Sequence, residues 1–281
     1  MNKKPFNSLN DYFVRYFFTD KGGEKVLLDF INAVMISANM KTFKSVEILN
    51  PFNLKKNYSD KETIVDVKCI TKNGTVVIIE VQLSGNSRFP ERILYYWSTN
   101  YSKLLKKGEG YEDLTPVISI NLLNFNLNKK DSNVHSCYMI YDTKNKRLLT
   151  DHLQIHIIEL KKFNFKNNNL SKDLNYWLGF FTTKDMEAYM SDIVKEKPIM
   201  EEAHKRYNNF IRSRLMMSEY EKKEIYQYDK QIMLKDERRE GIKEGEKNKA
   251  ISMAKSMKAK NMDINLISEI TGLTIKEINK L

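Results

Sequence analysis

Two carboxylates interrupt apolar runs in the stretch TIVDVKCITKNGTVVIIEVQLSG, residues 63–85. Asp66 stands in the first run, Glu80 in the second, and Gln82 follows two places on. The runs flank Asn73-Gly74, a hairpin signal. Two registers are open. A two-residue turn pairs residues whose numbers sum to 147, which sets Asp66 against Val81 and sends Glu80 to the other face. A three-residue loop, Lys72-Asn73-Gly74 with Gly74 in the left-handed region, makes paired numbers sum to 146. Asp66 then lies opposite Glu80, Cβ to Cβ about 4.5–5.5 Å, and Asp66, Lys68, Glu80 and Gln82 share one face. The competing reading leaves both acids on a solvent face. Ile64, Ile70, Val76 and Ile78 argue against it, because they make that face apolar. We expect the second register.

Two carboxylates so close repel, and a divalent cation removes the penalty. Oxygen-only ligands with room for water suit Mg²⁺, with Mn²⁺ the alternative ion. The chemistry such a centre supports is in-line attack on a phosphoryl group.

Other segments must position these residues. SLNDYFVRYFF, residues 8–18, reads as a helix capped by Ser8 or Asn10, and residues 24–38 as a second. VEILN at 46–50 is a short strand stopped by Pro51. Residues 88–107 read as a long helix with Pro90 in its first turn and Gly108 at its end. Strands are expected at 116–125, 137–142 and 153–160. His156 lies in the last of these, an Ile-rich run that alternates, and His152 just before it, so the two are not read as i, i+4 metal ligands on a helix. The order α-α-β-β-β-α-β-β-β predicts an α/β fold, a mixed sheet with helices packed on it. From about residue 170 the texture turns helical and charged, with Gly241 and Gly245 suggesting a joint. In the tail, Asp263 can cap one helix, Gly272 ends it, and Thr274 with Glu277 forms a capping box for another. Ile264, Ile267 and Ile270 are expected to face inward, as are Ile275 and Ile278.

The 281 residues carry a formal net charge of +11. Residues 1–180 hold 26 Lys+Arg against 18 Asp+Glu, and residues 181–281 hold 21 against 18, so the first part is the better polyanion surface. Lys55, Lys56, Lys103, Lys106, Lys107, Lys129 and Lys130 fall in loops or helix ends, where they could track phosphates. The two cysteines, Cys69 and Cys137, form no CxxC pair, which argues against a zinc site or a disulfide framework. No apolar run reaches the roughly 20 residues of a membrane span, and MNKKPFNSLN lacks a secretory apolar region. A cytoplasmic protein with no membrane partner is expected.

NDYFVRYFF, FINAV, VEILNP, DKETIVDVKC, VVIIEVQ, RILYYWSTNYSKLLKKGEGYEDLTPVISINLLNF and IHIIEL occur in this order over most of residues 8–165. With the D-x13-E-x-Q spacing, they make the chain resemble the PD-(D/E)xK nuclease superfamily, and within it the recombination-promoting nuclease or putative transposase (Rpn) family. The resemblance implies a restriction-endonuclease-like core over 1–180, a helical extension over 181–240 and a small helical tail over 241–281. It implies that Asp66 and Glu80 bind Mg²⁺ together with the carbonyl of Val81, and that Asp11 assists. Gln82 stands where the superfamily usually has lysine. It can hydrogen-bond water but brings no charge and does not titrate. The basic group expected in its place is Arg92, an i, i+4 neighbour of Tyr96, with Lys61 next. Tyr95, Tyr96 and Trp97 read as packing. The function implied is a Mg²⁺-dependent DNA endonuclease linked to recombination, mobile DNA or defence. The alternative is a catalytically silent nucleic-acid-binding or regulatory protein that kept the fold. The last residues resemble a helix-turn-helix turn, but a final helix of about seven residues is short for a major groove. A helical cap or interaction element is the better reading, and the charged helix before it could pair two chains.

Overall fold

A computed structural model describes residues 6–52, 66–85 and 88–281. The chain divides into a unit ending at Tyr220 and a unit running from Glu221 to Leu281. In the first unit, α1 (Asp11–Thr19) begins at Asn10, whose side chain accepts from the amides of Tyr12 and Phe13. Helix α2 (Glu24–Ser37) follows, then β1 (Val46–Ile48), β2 (Val67–Thr71) and β3 (Val76–Gln82). Helix α3 (Phe89–Ser102) crosses to β4 (Val117–Leu123), followed by β5 (His135–Tyr141) and β6 (Leu148–Glu159). Helices α4 (Lys172–Thr182), α5 (Met186–Ile193) and α6 (Ile199–Arg212) complete the unit. The element order and the mixed sheet are those expected, although α3 ends at Ser102, earlier than the run to residue 107.

The strands form one sheet in the order β1-β2-β3-β4-β6-β5. Strand β3 runs parallel to β4, and β4 parallel to β6, while the other pairs are antiparallel. Alternation sends side chains to two faces. Val67, Cys69, Val77, Ile79, Ile118, Ile120, Leu122 and Ile158 join a core with α1, α2, α4 and α6. On the other face, Val76, Ile78 and Val117 meet Trp97, Tyr101 and Leu104, and Leu123, Leu153, Ile155 and Ile157 meet Phe89 and Ile93. Phe89, Ile93, Trp97 and Tyr101 recur every four residues, so one stripe of α3 does this packing. Trp97 also donates to the Val117 carbonyl at 2.8 Å.

Residues 181–220 share the main core. Met200, Ala203 and Phe210 are fully buried in it beside Phe13, Phe17 and Phe180. Arg206, only 4% exposed, donates to the carbonyls of Tyr16, Phe17, Asp20 and Lys21 at 2.7–3.3 Å. Those carbonyls lie at and just past the end of α1; Tyr16 and Asp20 also accept from the backbone amides of Asp20 and Gly23, and the guanidinium fork complements the partial negative charge of the helix end.

Helix α7 (Arg214–Ala259) enters the second unit and runs unbroken through Gly241 and Gly245. The expected joint is absent there. Each glycine costs about 1 kcal/mol of helix propensity, too little to break a long helix on its own. Asp263 caps α8 (Ile264–Thr271), Gly272 ends it at φ +71°, and Thr274 and Glu277 form the capping box of α9 (Ile275–Asn279), as expected. Ile267 and Ile278 are fully buried with Ala254. Ile270 and Ile275, expected inside, are exposed. Residues spaced by three drift about 60° per step around a helix of 3.6 residues per turn, so Ile270 leaves the stripe that Ile267 occupies. No described helix is long and apolar enough to cross a membrane.

His156 is completely buried between β4 and β5, and its Nδ1 lies 3.0 Å from Nε2 of His135. Burial pushes His135 down to about 4 and, with His135 adding to it, His156 down to about 3. Both rings are neutral in the native protein, whereas the unfolded chain takes up protons below about 6.5. Stability is therefore full above that value and declines as pH falls toward 4 and 3. Urea titrations across this range should show a shallower decline in His156→Gln; an unchanged pH slope would contradict the assignment.

Candidate metal centre

The β2–β3 register is Val67 to Ile79, Lys68 to Ile78, Cys69 to Val77 and Ile70 to Val76, so every pair sums to 146. Gly74 has φ +81°, and its amide donates to the Thr71 carbonyl at 2.9 Å. This is the three-residue loop with a left-handed glycine. Asp66 lies one residue before the first strand pair. Its Oδ2 accepts from the Val81 amide at 2.7 Å, standing in for a ladder bond where β2 begins. In an extended strand the N–H and C=O of one residue point to the same side. The Val81 carbonyl therefore also faces the β2 side, where Asp66 is.

Glu80 projects from the face that α3 covers and is 8% exposed. Burial raises its carboxyl to about 8, and Asp66 adds to the rise; Arg92 and the Gln82 side chain oppose it. Gln82 Nε2 reaches Glu80 Oε2 only at 3.5 Å. The guanidinium of Arg92 lies 5.2 Å over the Tyr96 ring. The hairpin and the first turns of α3 thus bring Asp66, Glu80, Gln82 and Arg92 together. A buried carboxylate facing another, held by one long hydrogen bond, is a donor set that fits a hard divalent cation.

Other candidates are placed differently. The Asp11 carboxylate accepts from its neighbour's amide at the start of α1. Among the described residues no three of His, Cys, Asp and Glu cluster as a metal cage, so Asp11 does not complete the pair. Lys68 is half-buried, and burial together with Lys103 lowers its pKa. Lys103 caps the C-terminal end of α3, and Lys106 and Lys107 follow it, exposed. Lys129 and Lys130 lie instead at the opposite end of the sheet, in the loop after β4. Glu159, itself buried, holds that loop by accepting from the amides of Leu127 and Asn128. Lys55, Lys56, Lys61 and Ile64 lie outside the described residues. Trp97 packs as expected, whereas Tyr95 is 66% exposed.

Two residues of this face had not been singled out. Ser119 and Asn121 are each 2% exposed, and Asn121 is the register partner of Glu80. Their signal was two polar residues, two apart, within the apolar run VISINLL.

A mixed sheet flanked by helices, with one acid just before β2 and the other on β3, has the fold of the PD-(D/E)XK nuclease class. Residues 8–237 match the family described as PD-(D/E)XK nuclease family transposase, and the chain belongs to that family. No curated protein and no solved structure matches it.

A Cβ on Gly74 would come within 2.9 Å of Thr115 Cγ2, besides being strained at positive φ. Gly74→Ala should therefore lower stability by about 1–2 kcal/mol, measured by urea unfolding. A neutral or stabilising effect would show that the turn does not need the left-handed residue.

Proposed function

We propose that the protein is a Mg²⁺-dependent DNA endonuclease of the Rpn type, cytoplasmic, that hydrolyses phosphodiester bonds in recombination, in movement of mobile DNA or in defence. The observation that carries this is the single-faced arrangement of Asp66, Glu80 and Gln82 with Arg92 beside them. Asp66, its carboxylate oriented by the Val81 amide, Glu80 and the Val81 carbonyl would hold the cation. When bound, the ion supplies Lewis-acid stabilisation of the phosphate and an acidified water. Gln82 orients water by hydrogen bonding. Arg92 contributes a permanent positive charge toward the scissile phosphate, and Lys61 is the second candidate for that work. Lys103, Lys106 and Lys107, with Lys55 and Lys56, would follow the DNA backbone without reading bases. Exposed Ile225, Tyr228 and Ile232, spaced three and four apart on α7, support pairing of two copies through the C-terminal helices.

One observation favours a second reading. Gln82 replaces the usual lysine, which suits a protein that binds nucleic acid without cutting it. A plasmid nicking assay separates the two. The purified chain should nick DNA with Mg²⁺, and both Asp66→Ala and Glu80→Ala should reduce the rate at least about 100-fold with the fold retained. Equal residual cleavage in these variants would place the activity elsewhere, and binding without cleavage by the parent chain would favour the silent reading.

A further inference from the structure

Asn121 stands beside Glu80 on the adjacent parallel strand, and neighbouring strands lie only about 4.8 Å apart. Its Nδ2 donates to Ser119 Oγ at 3.0 Å and to the His156 carbonyl at 3.2 Å. A carbonyl oxygen can only accept, so the group facing His156 must be the amide nitrogen, and the orientation of the amide is not free. Strand β6, which carries His156, lies on one side of β4, and β3, which carries Glu80, lies on the other. With the nitrogen drawn toward β6 and back toward Ser119, the planar amide turns Oδ1 toward β3 and the C-terminal ends of the strands. That end of the amide faces the strand that carries Glu80, on the face that α3 covers, so a cation held by Glu80 would be within its reach.

We infer that Asn121 Oδ1 is a metal-ligating oxygen of this centre, completing with a neutral amide what the two carboxylates begin. The inference rests on the metal-centre reading proposed above. It also fits the absence of a third acidic ligand among the described residues. A hard cation takes amide oxygens as readily as it takes waters, and Mg²⁺ needs about six oxygens in all. Ser119 and His156 would act on the centre through Asn121, by fixing which end of its side chain faces Glu80.

The test is calorimetric titration of the full chain with Mn²⁺ alone, at about pH 8 and without DNA, next to thermal melts of the metal-free proteins. The parent should bind one ion at the centre, and Glu80→Ala should abolish this. Asn121→Leu, close in shape but without the oxygen, should weaken binding at least about 10-fold. Asn121→Asp, which places a third carboxylate there, should tighten it. If Asn121→Leu is too unstable, the Asp variant alone decides. Unchanged affinity in a folded variant, with binding still dependent on Glu80, would overturn the role of Asn121 and leave the centre standing. No Mn²⁺ binding by the parent, or binding indifferent to Glu80→Ala, would remove both.

Discussion

Strand register is the constraint on which the candidate centre depends. The side-chain period of a strand is two, so a one-residue slip between β2 and β3 would send Asp66 and Glu80 to opposite faces of the sheet. Gly74 prevents the slip. Its positive φ closes a three-residue loop, and Thr115 reinforces it by donating to the Gly74 carbonyl at 2.7 Å. The parallel pairing of β3 with β4 then extends the same alignment to Asn121. One backbone conformation at the hairpin tip therefore decides which oxygens meet at the far end of β3.

Burying Glu80 is unfavourable unless the surroundings hold it in place. The face around it is closed by the α3 stripe, whose Trp97 is tied to β4 by a hydrogen bond as well as by packing. The opposite face is fastened by an aromatic core in which Phe17, Phe18, Phe30, Trp177 and Phe180 are fully buried. Arg206 ties α6 to the end of α1, so elements nearly two hundred residues apart in sequence close one layer. With both layers rigid, the sheet can carry a carboxyl whose ionisation burial resists. A cation bound there would give the desolvated acid what it lacks, an opposite charge at short range.

Local signals were legible from sequence alone. The left-handed glycine at 74, the Asn10, Asp263 and Thr274 caps and the Gly272 stop each depend on residues within a few positions of one another. Non-local outcomes were less so. The glycines at 241 and 245 suggested a joint, yet the surrounding helix formers carry α7 through both. Ile270 and Ile275 looked like core until the helical angle placed them outside. Of the basic residues expected in loops and helix ends, Lys103 stands at the end of α3, whereas Lys129 and Lys130 lie beyond the other end of the sheet, in the loop after β4. Asn121 gave only a faint signal, a polar residue in an apolar run, because its pairing with Glu80 and its hydrogen bond to the His156 carbonyl both come from other strands.

Gln82 raises the question of which group handles charge and which handles protons, two tasks that one lysine can combine. Arg92 can take only the first, since a guanidinium does not give up its proton in the accessible pH range. Gln82 can take neither, but its amide nitrogen leans toward Glu80, which leaves its oxygen as an acceptor for water. Lys68, whose ammonium is disfavoured by burial and by Lys103, shares the face, yet it projects two residues nearer the hairpin tip than Asp66. With a cation bound, removing a proton from an attacking water would fall to the ion's acidifying effect or to a phosphate oxygen of the substrate. A centre built this way would rely more on its ion than one with lysine does, so the proposed place of Asn121 in the oxygen shell would bear directly on whether the site is chemically competent.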